Sequence, residues 1–111
     1  MEIIKKTEGL TNMDQYQMIM DPAVKAIKSV ADQTLTYQAF ILYTDLDKDG
    51  NEVELLALKT EEGNFTTNSK TFIEDFKKAL DILSEAEIGH VVVKADKSKS
   101  DRTYYRCSIT A

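Results

Sequence analysis

Asp45, Asp47 and Asp49 stand at every second position, and Gly50 follows them. Oxygen ligands at positions one, three and five with a glycine at six open an EF-hand calcium loop. Such a loop needs a bidentate glutamate at position twelve, and here that position is Leu56, which has no oxygen to give. An EF-hand loop also joins two helices. Its neighbours here, Leu35 to Thr44 and Val53 to Lys59, are rich in β-branched and aromatic residues instead. The stretch is therefore predicted to be a hairpin turn in which Gly50 takes a positive φ. A weak, opportunistic cation site at Asp45, Asp47 and Asp49 is the alternative.

Catalytic chemistry finds little to work with. His90 is the only histidine, and it lies beside the valine run Val91 to Val93. It is expected to be a surface or edge residue of a strand rather than a base. Cys107 is the only cysteine, so neither an internal disulfide nor a thiolate metal cluster can form. In an alternating strand it is expected to be a small buried side chain. The phosphate-loop, zinc-protease, C-x-x-C and G-x-S-x-G patterns are all missing. The expectation is a protein that is not an enzyme and needs no cofactor.

The segment around the last two predicted strands reads differently. Lys94, Lys97, Lys99, Arg102 and Arg106 are opposed only by Asp96 and Asp101, in a chain whose net charge is −5. Strand alternation places Tyr105, Cys107 and Ile109 on one face, and Arg102, Tyr104, Arg106 and Ser108 on the other. The first face reads as core. The second interleaves an aromatic ring with guanidinium groups, a combination suited to single-stranded nucleic acid. Cations follow the phosphates and the ring offers a π-face to a base, whatever its identity. Phe40 and Phe65, on other predicted strands, are candidates to extend such a stacking platform. An ordinary solvated hairpin is the competing reading.

Several elements must position these groups. Glu2 to Lys6 reads as a short strand. Thr11, with Asp14 three residues on, marks a first helix start, and Asp21-Pro22 marks a second, followed by Val24, Ile27, Val30 and Ala31 at helical spacing. Met13, Met18 and Met20 read as core filling. From Leu35 the period becomes two: Leu35, Tyr37, Ala39, Ile41 and Tyr43 point one way, and Phe40 and Leu42 point the other. Strands are predicted again at Val53 to Lys59, Phe65 to Thr67, from Ile88 onward, and at Arg102 to Ile109. Between the third and fourth of these barrel strands lies a helix, with Asn68 or Ser69 as cap, Thr71 and Glu74 as a capping box, and an apolar stripe of Phe72, Ile73, Phe76, Ala79, Leu80 and Leu83.

The predicted architecture is α+β and mainly β. Residues 1–33 form an N-terminal strand and helical extension. Residues 34–111 form an OB-like five-stranded barrel with a helix between strands three and four, and the whole makes one compact domain. The length suits one domain, and 42% hydrophobic against 30% charged residues suits a modest core in a soluble chain. No apolar run approaches the ~18–20 residues of a membrane span, and MEIIKKTEGL lacks the apolar centre of a signal peptide. With a single thiol, this predicts a cytoplasmic location. The acidic balance argues against wholesale coating of duplex DNA but allows a local basic patch.

The stretches EGNFTTNSKTFIEDF (Glu62 to Phe76) and VVVKADKSKSDRTYYRCSI (Val91 to Ile109) resemble small phage-encoded single-stranded DNA-binding proteins, those of protein-primed phages in particular. The shared features are the Gly63-Asn64 turn, the Ser69-Lys70-Thr71 helix start, the Val91 to Val93 strand, the Lys97 to Ser100 loop and the Tyr104-Tyr105 pair. The resemblance covers roughly Leu55 to Ile109. It implies an OB-like fold, no cofactor, and coating of exposed single strands during phage or mobile-element replication in a bacterial cell. It assigns Lys97, Lys99 and Tyr104 to the nucleic acid. The chain departs from the pattern where family loops carry glycine, at Ala95 and Ser100, and in its carboxylates Asp96 and Asp101. The expected partner is single-stranded DNA, with replication proteins and a second copy of the chain as further candidates. The nucleic-acid contacts are assigned to Phe40, Phe65, Lys94, Lys97, Lys99, Arg102, Tyr104 and Arg106. The alternative is an acidic phage protein that mimics nucleic acid and inhibits a host or defence protein.

Overall fold

Thirteen consecutive residues, Thr34–Leu46, form one long strand, and the rest of the molecule is arranged around it. The structure is a computed structural model that describes residues 1–111. In chain order the elements are β1 (Glu2–Lys6), α1 (Asn12–Ile19), β2 (Lys25–Ala26), a single 3-10 turn (Ile27–Val30), β3 (Thr34–Leu46), β4 (Glu52–Thr60), β5 (Gly63–Thr67), α2 (Lys70–Ile82), a second 3-10 turn (Glu85–Glu87), β6 (His90–Lys97) and β7 (Thr103–Thr110). The fold is α+β and mainly β.

One edge of β3 pairs with β4. The other is shared, with β6 on Thr34–Thr36 and β1 on the far half, from Ile41 to Thr44. A strand that serves different neighbours at its two ends must bend, and the sheet curls into a half-barrel. Neighbouring strands run β2-β5-β4-β3-β6-β7, with β1 also on β3. The count is seven rather than the five expected of the barrel, because β1 and β2 pair into the sheet as well.

The bend has a local cause. Between Tyr37 and Ala39 two residue steps on β3 face one step on β4, which is a β-bulge at Gln38. The extra residue reverses the alternation. Leu35 and Tyr37 therefore share a core with Phe40 and Leu42, while Ala39, Ile41 and Tyr43 face the other way. The uninterrupted alternation read from the sequence is corrected here. β3 consequently buries both faces. One lies under α2, in a cluster that includes Leu56, Leu58, Phe65, Phe72, Ile73, Phe76, Val91 and Val93. The other lies in a smaller cluster with Met18 of α1.

Helix α1 begins as its sequence dictates: the Thr11 hydroxyl accepts from the Asp14 N–H at 3.0 Å, and the Asp14 carboxylate accepts from the Thr11 N–H at 2.9 Å. Of its methionines only Met18 is core. Met13 and Met20 are exposed, which corrects the expectation for that group. The second helix expected after Asp21-Pro22 does not form. Asp21 caps a turn by accepting from the Ala23 N–H, Lys25–Ala26 pairs in parallel with β5, and Ile27–Val30 completes one 3-10 turn. A short run has little helical stability of its own. Burial of Ile27 in the main core, together with two residues of ladder on β5, outweighs it.

Helix α2 closes the half-barrel. Its cap is Ser69, whose hydroxyl accepts from the Phe72 N–H, so the box expected of Thr71 and Glu74 is not the cap in use. Phe72, Ile73 and Phe76 face the sheet, and the Phe76 ring lies 5.4 Å from that of Phe40 and 6.2 Å from that of Tyr37. The sheet ends at β7 on one side and at the two-residue β2, laid on β5, on the other, so a seam is left between the β5 side and β7. Helix α2 fastens to both sides of the opening. Lys77 pairs with Glu54 of β4 at 2.7 Å, and Asp75 accepts from the Cys107 N–H of β7 at 3.0 Å. Elsewhere, Glu85 accepts from the hydroxyls of Thr7 and Tyr37, and Thr7 in turn accepts from the Phe40 N–H. Burial raises the pKa of the Tyr37 hydroxyl, which holds it in its donor form.

Candidate nucleic-acid interface

Strands β6 and β7 pair along their whole length, with Lys94 opposite Arg106, Asp96 opposite Tyr104, and Lys97 opposite Thr103. Residues directly opposite one another share a face. Val91, Val93, Cys107 and Ile109 therefore line the core side, and Ala95 with Tyr105 continues it. The solvent side carries Lys94, Arg106, Tyr104 and Asp96. The two faces match the alternation read from the sequence, because no bulge interrupts this ladder.

Arg106 has a second role that the sequence did not reveal. Its Nε donates to Asp75 at 2.7 Å and its Nη2 donates at 3.0 Å, a bidentate clasp across 31 positions of chain. The Asp75 hydrogen bond raises the guanidinium pKa further, with a smaller contribution from Tyr104. For Asp75 itself burial acts upward, but the hydrogen bonds from Arg106 and from the Cys107 N–H outweigh it, and the carboxyl sits below its ordinary value of 3.8. About half of the Arg106 side chain remains in solvent. It is thus both a clasp and an exposed cation.

The other cations of the hairpin are exposed. Lys97 reaches Asp101 at 3.4 Å, an ion pair with both partners in water and therefore of little energetic weight. Lys94, Lys99 and Arg102 form no ion pair within the chain. The Tyr104 hydroxyl donates to Asp96 at 3.3 Å, which holds the half-buried ring across the strand pair. The connecting turn is well defined: the Ser98 N–H donates to the Arg102 carbonyl, the Asp101 N–H donates to the Ser98 carbonyl, and Asp101 takes φ 63°.

Phe40 and Phe65 do not belong with this group. They are 2% and 3% exposed, inside the main core with α2. The bulge turns Phe40 inward, and Phe65 packs in the same cluster as Ile27. Neither ring presents a face to solvent, so their assignment to a stacking platform is corrected. Six of the eight expected contacts, Lys94, Lys97, Lys99, Arg102, Tyr104 and Arg106, lie on one hairpin.

The remaining candidates resolve in structural terms. Asp45, Asp47 and Asp49 lie at the β3–β4 turn, where the Asp47 carboxylate accepts from the N–H groups of Asp49 and Asn51 at 2.9 Å each. Gly50 has φ 80°, as the turn reading requires. No three of the acidic, histidine and cysteine side chains gather in a metal-holding group. His90 is half-buried at the start of β6, with Nδ1 3.1 Å from the Ala111 carbonyl. Cys107 packs against the core. Burial first, and the nearby Asp75 charge second, push its thiol up to about 12, so it stays protonated at neutral pH.

No family model, curated protein or solved structure matches the chain. The geometry therefore carries the functional reading.

Proposed function

We propose that this protein binds single-stranded DNA without sequence preference, along the solvent face of the β6–β7 hairpin. The carrying observation is the placement of Lys94 directly opposite Arg106, with Tyr104 next on the same face and Lys97, Lys99 and Arg102 around the turn, in a chain of net charge −5. Cations there neutralise phosphates, and the tyrosine ring offers a stacking surface that any base can use. Three meandering strands, a helix and a final hairpin curl round one core, which supports an OB-like barrel left open between β5 and β7. Coating of exposed strands during phage or mobile-element replication, in the cytoplasm of a bacterial host, is the setting that fits this chemistry and the family resemblance. The role needs no cofactor and no catalysis.

The test is polarisation of labelled oligo-dT, titrated at several salt concentrations beside a duplex of equal length. The affinity for oligo-dT is expected to exceed that for duplex. It should fall with salt on a log–log line whose slope is about −0.7 for each phosphate neutralised. Lys94→Ala and Arg102→Ala should each lower both affinity and slope. Salt-independent binding, or no binding, would overturn the proposal.

A second reading is favoured by a separate feature. Glu52, Glu54 and Glu74 border a cleft between β4 and α2, with Lys70 in its lining and Lys77 paired to Glu54 and Glu74. An acidic surface that mimics nucleic acid would use this side to bind a host or defence protein. The same titration separates the two, since a mimic has no affinity for oligo-dT.

A further inference from the structure

The seam between β5 and β7 is an open cleft. It encloses about 300 Å³ and is lined by Lys28, Thr66, Thr67, Asn68, Ser69 and Tyr105 among others. Three segments build it: the 3-10 turn after β2, the junction of β5 with α2, and the edge of β7. It is not legible in the sequence, because Lys25 and Lys28 fall where a second N-terminal helix is expected.

Two features separate this cleft from a packing defect. The first is its β7 wall. The Cys107 N–H points away from β6, to Asp75. Backbone groups alternate along a ladder, so the N–H and C=O of Tyr105 point the same way, into the seam. The cleft therefore has an unpaired strand edge on one side. It has the hydroxyls of Thr66, Thr67 and Ser69 and the Asn68 amide on the other. Ala26, Ile27 and Leu55 complete the lining, so the cleft offers apolar surface beside its polar groups, as a base and its phosphate require. The second is the distribution of charge. Lys25 and Lys28 are exposed on one side of the seam, and neither forms an ion pair within the chain. Across it, β7 begins one residue after Arg102 and its turn, where Lys97 and Lys99 stand. A polyanion lying on the hairpin can reach Lys25 and Lys28 by crossing the β7 edge, as it can reach Lys78 of α2 beside the Arg106–Asp75 clasp.

We infer that the single strand continues from the β6–β7 hairpin across the edge of β7 into the seam, where one nucleotide is held. Its phosphate lies at Lys28 with Lys25 beyond it, and its base lies against Tyr105. A volume of about 300 Å³ is at the lower end of small-ligand sites and suits one nucleotide rather than a folded partner. The inference rests on the single-strand reading given above, and it extends the contact surface to a region that the hairpin alone does not include.

The test compares four proteins in oligo-dT polarisation titrations: wild type, Lys28→Glu, Lys48→Glu and Lys94→Ala. Lys48 lies in the β3–β4 turn, so its replacement makes the same change of net charge on a different part of the surface. All three lysines are exposed, and folding is checked by circular dichroism. Lys28→Glu is expected to weaken binding roughly tenfold and to flatten the salt slope, with Lys48→Glu close to wild type. An oligonucleotide carrying 5-iodouracil should photo-crosslink to Tyr105 in the wild type, and less so in Lys28→Glu. If Lys28→Glu binds as wild type does while Lys94→Ala is weakened, the seam is not on the path and the hairpin reading stands. Equal losses in Lys28→Glu and Lys48→Glu would reduce the effect to net charge and overturn the inference. A wild-type protein that fails to bind would overturn both.

Discussion

The two long hairpins of this protein turn on the same backbone device. In the β3–β4 turn the Asp47 N–H donates to the Asn51 carbonyl, the Asp47 carbonyl accepts from Gly50, and the Asp47 side chain accepts from the Asn51 N–H. In the β6–β7 turn Ser98, Asp101 and Arg102 repeat each of these bonds, with the Ser98 hydroxyl in place of the carboxylate. The fourth residue is left-handed in both, Gly50 at φ 80° and Asp101 at φ 63°. Such turns join antiparallel strands with a bulge at the left-handed position. The difference lies in what surrounds them. The β3–β4 pair buries both faces of β3 and spends its aspartate on its own turn. The β6–β7 pair buries one face, satisfies its turn with a neutral hydroxyl, and leaves Lys94, Lys99 and Arg102 unpaired in solvent. An alternation of charged and small residues is therefore no guide to function until the backbone's own demand for acceptors has been met.

The aromatics of the two hairpins should respond to truncation in opposite ways. Phe40 is 2% exposed and packed on Phe76. Phe40→Ala should destabilise the fold by about 3–5 kcal/mol, read from urea denaturation. At a temperature where the variant remains folded it should bind oligo-dT as wild type does. Tyr104→Ala should do the reverse. A lost stacking contact is worth about 1–3 kcal/mol in binding, whereas stability should move by about 0.5 kcal/mol or less. If Phe40→Ala weakens binding in the folded state, or Tyr104→Ala leaves it unchanged, the division between a structural and a binding hairpin fails.

Asp75 fastens the β6–β7 hairpin to α2. Asp75→Asn should cost about 1–3 kcal/mol, because the charged acceptor of the Arg106 clasp and of the Cys107 N–H is weakened. The effect has a pH signature. The folded-state pKa of Asp75 is depressed, so its stabilisation is complete above the ordinary value of 3.8 and is lost as pH falls through the lower folded value. As pH falls below about 4 the wild type should therefore lose more stability than Asp75→Asn does. Parallel stability curves for the two proteins would remove the carboxylate from the clasp.

The clasp also marks where the sequence stops being informative. Strands and α2 were legible because their apolar residues repeat at periods of two and 3.6, and α1 was legible from the Thr11–Asp14 pair. The solvent face of β6–β7 followed from simple alternation, since no bulge interrupts that ladder. The inward turn of Phe40 was not legible, because nothing in the run Tyr37-Gln38-Ala39 announces an extra residue. The fate of residues 22–31 was decided by tertiary contacts: β-branched residues at helical spacing became a strand and a 3-10 turn once Ile27 had a core to enter and β5 offered an edge. The pairing of Arg106 with Asp75 joins residues that are distant in sequence, and a single sequence gives no signal of it.

The smallest expected effect comes from making the second turn resemble the first. Asp101 holds a left-handed backbone that glycine adopts freely, and its carboxylate meets Lys97 only in a solvent-exposed pair. Asp101→Gly removes the strain of an L-residue at positive φ. It also adds flexibility to the unfolded chain, which offsets part of the gain, so stability should rise by about 1 kcal/mol at most. Binding should change in the same direction. One of the two carboxylates beside the hairpin's cations is gone and Lys97 is released, so affinity for oligo-dT and the steepness of its salt dependence should both increase. A more stable protein with unchanged affinity would mean that Lys97 lies off the path of the strand. A tighter but less stable one would mean that the Lys97–Asp101 pair contributes more to the turn than an exposed ion pair ordinarily does.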